Sequence, residues 1–401
     1  MKSKNENRPQ EVYLSNYYRP TDTSILDGIA DDIGRSLPAP SGKAGLVVTV
    51  PAKNEESSIL FCLRSLVKQF AMANVGIDYE LYEVLVLCHN CTDNTGAICR
   101  QFQKENPFFG LSFIETDRPE INNVVAVRRV LMRIAAGRLP GSGYIVTTDA
   151  DTSVGRYWVA NLLGYSGSGY GMVCGRIDID LRTVSGNARS TLELKQRYFD
   201  LRTELEHLVS PDLTDPWPRH GHNSGPNLAV RRDVYLEVGG MPPKGFLEDI
   251  ALYEAVCAAG YKIRHCPDTV VTTSCRLTPR APRGFGAELR DWNGAKFIFF
   301  EVEGLERLLA KFRLFEAIRC HYRSPSRKSM LGISKATGLG PKCITDYLGR
   351  FHSARPLINL MDRELNGLES WKLKHPLKIV SVAVEELEAY LHNVPSTFCQ
   401  T

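Results

Sequence analysis

Several features that would narrow the class of this 401-residue sequence are missing from it. No apolar run approaches the roughly 18 residues needed to cross a bilayer, so a membrane-spanning helix is not expected. The N-terminus, MKSKNENRPQEVYLSNYY, has no apolar core after its basic start. A secretory signal needs one, and the chain is expected to be cytoplasmic, either free or peripheral at the inner face of the membrane. No G-x-G-x-x-G follows the first strand-like run, which sets a dehydrogenase aside. The net charge is only +4, and the dense basic patch of a nucleic-acid binder is absent, so no nucleic-acid partner is expected. The eleven cysteines fall at irregular spacings. Cys62, Cys174 and Cys257 lie inside apolar runs and read as reduced core thiols. Cys88 and Cys91 form a C-x-x-C without a second pair, and Cys266 and Cys275 are too far apart to complete a zinc pattern. No internal repeat or low-complexity segment is visible.

What is present is a soluble, globular composition, 43% hydrophobic and 23% charged, arranged in three stretches. Residues 1–43 are polar, contain Pro20, Pro38 and Pro40, and read as an N-terminal arm. From Leu46, short apolar runs alternate with amphipathic segments, the signature of β-α-β units and a mostly parallel sheet. LVVTVP (46–51) leads into helical spacing at Ile59, Leu60, Leu63, Leu66, Val67 and Phe70. VLVLC (84–88), LSFIE (111–115) and YIVTTDAD (144–151) follow as strands, with helical segments between them. MVCGRIDID, NLAV, YKIRH and TVVTTS supply further strands up to Cys275. Leu194, Tyr198, Leu201, Leu205 and Leu208 mark a long helix whose stripe reads as core. Residues 44–292 therefore read as one α/β domain, a single Rossmann-like sheet flanked by helices, and 293–401 as a helical C-terminal extension.

The chemistry begins with Asp149 and Asp151. Read as the end of a buried strand, two residues apart, they leave the same face, at the edge where open α/β sheets bind ligands. Two carboxylates held close repel each other, and a hard divalent cation relieves that repulsion through oxygen ligands. Such a cation would anchor a diphosphate.

LVVTVP followed by AKNEESS, the DAD of the fourth strand, and FLEDIALYEAV a hundred residues later come in the order found in glycosyltransferase family 2, which the chain resembles from about Leu46 to Trp292. The resemblance implies a GT-A fold, a sugar donor activated by UDP or GDP, a divalent metal (Mg²⁺ or Mn²⁺), and transfer to an acceptor hydroxyl with inversion. It implies that Pro51, Ala52, Asn54, Glu55 and Glu56 help to hold the nucleoside, that Asp149 lies near the ribose, and that Asp151, with Asp149, binds the metal. In the second motif, HNCTDNT, the family carries a base-contacting acid where this chain has His89. Asn90 and Asp93 remain as candidates, and Asp93 equally suits a helix cap. In GPNLAVRRDVYLEVGG, Gly225 and Asn227 match residues that shape the sugar pocket. Asp249 matches the catalytic base and Glu248 its support, although acids in a first helical turn also serve as dipole partners. A sugar-phosphate nucleotidyltransferase would instead begin with a glycine-rich loop, which PAKNEESS lacks. A silent nucleotide-sugar-binding module would be missing one of Asp149, Asp151 and Asp249.

Three features stay open at this level. His220 and His222 could give a third metal ligand or simply belong to a polar loop. Arg276, Arg280, Arg283, Arg290 and Trp292 could close over a diphosphate or meet an acidic acceptor. The stretch 311–328 carries Phe312 and Phe315 beside Arg313, Arg319, Arg323, Arg327 and Lys328. It could lie on an anionic membrane and meet a lipid-linked acceptor rather than a small-molecule glycoside; packing of its apolar side on the core is the preferred reading.

Overall fold

The computed structural model of the protein describes residues 23–184, 186–244, 247–276, 286, 289 and 300–394. The expected α/β architecture is present. Eight strands form one sheet: β1 Leu46–Ala52, β2 Tyr82–His89, β3 Leu111–Thr116, β4 Tyr144–Thr147, β5 Thr152–Val154, β6 Tyr170–Asp180, β7 Leu228–Arg231 and β8 Lys262–Ser274, in the order β3-β2-β1-β4-β7-β6-β8-β5. β1 pairs in parallel with β2 and β4, and β2 with β3. β7 runs antiparallel to β4 and β6, β8 is parallel to β6, and β5 is antiparallel to β8.

Burial explains why β1 and β2 read as nearly continuous apolar runs: helices cover both faces of a parallel sheet. Alternate residues feed two separate cores. Val47, Leu85 and Leu87 face helix Val124–Arg138. Leu46, Val48, Val50, Val84 and Val86 face helices Ile59–Val67, Thr95–Glu105 and Trp158–Leu163. The 1–43 segment, expected to be an arm, contains a helix, Thr23–Ser36. It buries Leu26, Ile29 and Ala30 in the first core, and Asp27 pairs with Arg129 at 2.8 Å.

Two expectations about strands change. YKIRH and TVVTTS are one strand, β8, because both halves pair with β6; its register shifts between the Gly175–Cys266 and Arg176–Val270 pairs, which lets the strand bulge instead of ending. β4 stops at Thr147, so Asp149 and Asp151 lie beyond the strand, in a turn closed by the Thr152 amide donating to the Asp149 carbonyl at 3.1 Å. The chain re-enters the sheet as β5 on the far side of β7, β6 and β8.

The C-terminal region holds helices Leu305–Arg323, Arg327–Thr337, Pro341–Gly349, Ala354–Gly367, Glu369–Lys374 and Val380–His392, with a small antiparallel pair, β9 Glu301–Glu303 and β10 Leu377–Ile379. It packs on the long helix Gly186–Val209: Tyr198, Leu201 and Leu205 share a core with Leu308, Phe312, Phe315 and Ile318. The apolar side of the basic 311–328 stretch is therefore covered by protein, the packing alternative. Among the described residues no helix is long and apolar enough to cross a membrane.

Where charge is buried, it is paired. Arg138 on helix Val124–Arg138 meets Glu83 of β2 at 2.5 Å, and both side chains are buried. Removing one member of such a pair leaves a buried charge unmatched. Arg138→Met is expected to lower unfolding free energy by about 3–5 kcal/mol, and the double variant Arg138→Met with Glu83→Gln by clearly less, as read from equilibrium urea unfolding.

Candidate functional site

The carboxyl ends of β1, β2 and β4 open on the same edge of the sheet, and the loops leaving them are tied together. Asn54 and Asn90 take positive φ values of 54° and 48°, a conformation asparagine tolerates better than most residues. The Asn54 Oδ1 accepts from the Thr92 amide at 2.8 Å, the Glu56 amide donates to Asp93 Oδ2 at 3.0 Å, and the Glu55 amide donates to Thr95 Oγ1 at 2.7 Å. Asp93 Oδ1 accepts from the Thr95 amide and hydroxyl at 3.0 and 2.5 Å. Desolvation works against its charge, but these donors hold its carboxyl below the usual range. Both oxygens of Asp93 thus have structural partners, and its side chain closes the turn that leads into helix Thr95–Glu105, whose N-cap is Asn94. Pro51 and Ala52 close β1 beside Leu87 and Cys88. His89 is buried at the end of β2, and burial, then Lys53, pushes its imidazole down to about 4, so it is neutral at ordinary pH.

The second half of the site is organised by a residue that the sequence did not single out. Arg128, on helix Val124–Arg138, has a buried side chain whose Nη2 meets Asp149 Oδ1 at 2.5 Å and whose Nε lies 3.3 Å from Glu248 Oε1. Its Nη1 donates to the Gly225 carbonyl at 3.1 Å, and the Thr147 hydroxyl donates to the same oxygen at 2.5 Å. The Gly225 amide in turn donates to Asp249 Oδ2 at 2.7 Å. A Cβ on residue 225 would stand 2.5 Å from the Arg128 guanidinium, so only glycine fits there. Asp149, Gly225, Glu248 and Asp249 are brought together around one guanidinium.

Glu248 and Asp249 open helix Glu248–Ala258, preceded by Leu247 at φ 59°, ψ 42°. A bulky residue in the left-handed region is uncommon, and here it turns the helix start towards Arg128. The Asp249 Oδ1 also accepts from the Ile250 amide at 2.8 Å. Asn227 behaves differently from its expected role at the pocket: its buried amide accepts from Trp158 Nε1 and donates to the Arg176 and Thr269 carbonyls, all at 2.9 Å. It is a strut inside the sheet at the bulge of β8. His220 and His222 are also engaged internally. The His220 Nδ1 accepts from the His222 amide at 3.0 Å while Nε2 meets the Cys266 carbonyl at 3.1 Å, and the His222 Nδ1 accepts from the Ile177 amide at 2.9 Å. Burial pushes His220 down to about 2, and no ring nitrogen of His220 remains for a metal.

Asp151 completes the cluster. Its Oδ2 accepts from Ser274 Oγ at 2.7 Å and meets Arg276 Nη2 at 2.8 Å, while Arg276 also forks onto Glu55. Arg280, Arg283, Arg290 and Trp292 lie outside the described residues. Among the described residues, the carboxylates of Glu55, Asp149, Asp151, Glu248 and Asp249 lie about the guanidiniums of Arg128 and Arg276. Among the described residues no group of three or more His, Cys, Asp or Glu is arranged to hold a metal ion by itself. The donor set fits a cation that takes one or two carboxylates from the protein and its remaining oxygens from a bound diphosphate and water.

The signal that could have pointed to Arg128 is its setting: VVAVRRVLM places two arginines inside an apolar helical run, where a charged side chain persists only if paired.

A model of glycosyl transferase family 2 matches residues 47–238. The probable glycosyltransferase YdaM of Bacillus subtilis (strain 168) is 26% identical over 228 residues, covering 56% of this chain and 49% of that protein. The chain thus spans about half the length of that relative. Among solved structures, the mannosyltransferase PcManGT from Pyrobaculum calidifontis, in complex with GDP-Man and Mn²⁺, aligns at 16% identity over 92% of this chain and 94% of that one, with a TM-score of 0.42. Residues 1–349 of S. aureus TarS, in complex with UDP-GlcNAc, align at 14% identity over 88% and 93%, with a TM-score of 0.43.

Desolvation pushes Asp149 from 3.8 up to about 6; Arg128 opposes this, and Asp151, Glu248 and Asp249 add to it. Between those two values the folded carboxyl holds a proton that the unfolded chain has lost, so stability falls as pH rises through the window. Burial also raises Glu248, which adds to the decline; urea unfolding at stepped pH should therefore show a decline in the wild type that is smaller in Asp149→Asn.

Proposed function

We propose that the chain, whose residues 47–238 match a model of glycosyl transferase family 2, is a GT-A type enzyme that moves a sugar from a nucleoside diphosphate to an acceptor hydroxyl with inversion. The observation that carries this reading is the convergence of Asp149, Glu248 and Asp249 around Arg128 at the carboxyl ends of the parallel strands.

In this reading the stitched loops after β1 and β2 form a rigid floor for the nucleoside, built from Pro51, Ala52, Asn54, Glu55, Glu56, Asn90 and Asp93. Asp149 stands at the ribose, fixed by Arg128. Asp151, with Asp149, would hold a divalent metal, Mg²⁺ or Mn²⁺. When bound, such a cation withdraws the negative charge that builds on a departing diphosphate. Asp249 faces the reacting centre as general base. It removes the proton from the acceptor hydroxyl as that oxygen bonds to the anomeric carbon, and the electron pair of the breaking C–O bond leaves with the diphosphate. The Gly225 amide fixes the direction of its carboxylate. Glu248, buried and paired with Arg128, sets the position of the helix that carries the base; no covalent nucleophile is required.

Two substitutions separate these roles. Asp249→Asn should keep nucleotide binding in calorimetry while transfer falls by on the order of 10²- to 10⁴-fold; weakened binding with intact turnover would contradict the base role. Asp151→Asn should abolish Mn²⁺-dependent hydrolysis of a UDP- or GDP-sugar, and unchanged turnover would remove the metal role.

A further inference from the structure

We infer that Arg276 competes with the divalent cation for Asp151 and is released towards the diphosphate when the cation binds. This rests on the reading of Asp151 as a metal-binding residue and adds to it a role for the neighbouring guanidinium. The argument starts from one oxygen. Asp151 Oδ2 is shared by Arg276 Nη2 at 2.8 Å and Ser274 Oγ at 2.7 Å. A cation seated on that oxygen and a guanidinium on the same oxygen are like charges within a few ångströms, and the two arrangements exclude each other.

The surroundings let the arginine be the partner that moves. Of the three side chains in the bridge it is the most open, 27% exposed against 13% for Asp151 and 6% for Glu55. Arg276 also lies two residues past the end of β8, whose ladder closes at the Asp180–Ser274 pair. Among the described residues, no hydrogen bond of that ladder has to break for it to shift. Ser274 is held by that ladder, so its hydroxyl keeps Asp151 oriented after the guanidinium has left. Glu55, which Arg276 also grips, belongs to the loop anchored to Thr95, so the freed guanidinium remains tethered beside the cleft. A diphosphate brings negative charge to the same place and is the partner that a displaced, planar, forked cation fits.

Cation and diphosphate then bind cooperatively: the cation alone strips Arg276 of one of its two carboxylate partners and leaves it only Glu55, whereas the diphosphate supplies a replacement counter-ion. Coupling of this kind typically amounts to about 5- to 150-fold in affinity. The test uses the full chain and measures Mn²⁺ affinity by electron paramagnetic resonance, with no nucleotide and then with UDP or with GDP. Arg276→Gln should bind Mn²⁺ alone at least about 5-fold more tightly than wild type, and the gain from added nucleotide should shrink. Arg276→Lys, which keeps the charge, should stay close to wild type in Mn²⁺ affinity. Thermal unfolding of each variant checks that the fold is retained. Equal or weaker Mn²⁺ binding by Arg276→Gln, with Asp151→Asn abolishing it in both backgrounds, would overturn the competition while leaving the metal reading intact. Mn²⁺ binding that survives Asp151→Asn, or that is absent from every form with and without nucleotide, would overturn the metal reading and this inference with it.

Discussion

The buried guanidinium of Arg128 is the constraint on which the site depends. Taking an arginine out of water is costly unless its charge is matched, and here its partners come from three separate segments: Asp149 in the turn after β4 and the Gly225 carbonyl before β7 accept hydrogen bonds, and Glu248 at the start of helix Glu248–Ala258 forms an ion pair. Burial alone would lower its pKa, but Asp149, Glu248 and Asp249 more than reverse that effect. The electrostatic need of one side chain thus becomes a geometric rule for four residues far apart in the chain. Thr147 reinforces it by donating to the same Gly225 carbonyl, which locks the end of β4 to the approach of β7.

A second network ties the C-terminal helices to this frame. Arg355 meets Asp212 at 2.8 Å and the Tyr253 hydroxyl at 3.3 Å, and Tyr253 sits one turn along the helix that begins with Glu248 and Asp249. Asp212 also accepts from Arg319, while the neighbouring Asp215 pairs with Arg264 and His265 of β8. The region that follows the sheet domain is therefore joined to the helix bearing the proposed base by the Arg355–Tyr253 hydrogen bond, which a buried ion-pair network around Asp212 and Asp215 holds in place. Such pairs specify geometry more reliably than they add stability.

Much of this was legible in the sequence, for identifiable physical reasons. β1, β2 and β3 announce themselves because strands covered by helices are apolar throughout and bounded by turns. LVVTVP with AKNEESS, the DAD and the Glu248–Asp249 helix start could be picked out because they come in the order found in the family that the chain resembles. β5 could not be read, since three residues carry no period. β8 was read as two strands because Pro267 and Asp268 look like a break, whereas the sheet accommodates them as a bulge. The helix at residues 23–36 was hidden by a polar composition: its buried stripe is three residues wide. Pattern reading counts arginine as surface and so passes over Arg128, while the motif gives the place of Asn227 in the chain and not the direction of its side chain.

Arg128 and Arg129 are consecutive, so their side chains leave helix Val124–Arg138 about 100° apart. One reaches the cleft; the other is clamped by Asp27 and by the carbonyl of Met241 at 2.6 Å. The remote helix Thr23–Ser36 therefore adds a clamp to the helix that organises the cleft, whose face is already set by its packing on the sheet. A chain begun near residue 44, where the composition changes, would keep every motif yet leave the Arg129 guanidinium without its Asp27 partner, one side chain away from the cleft.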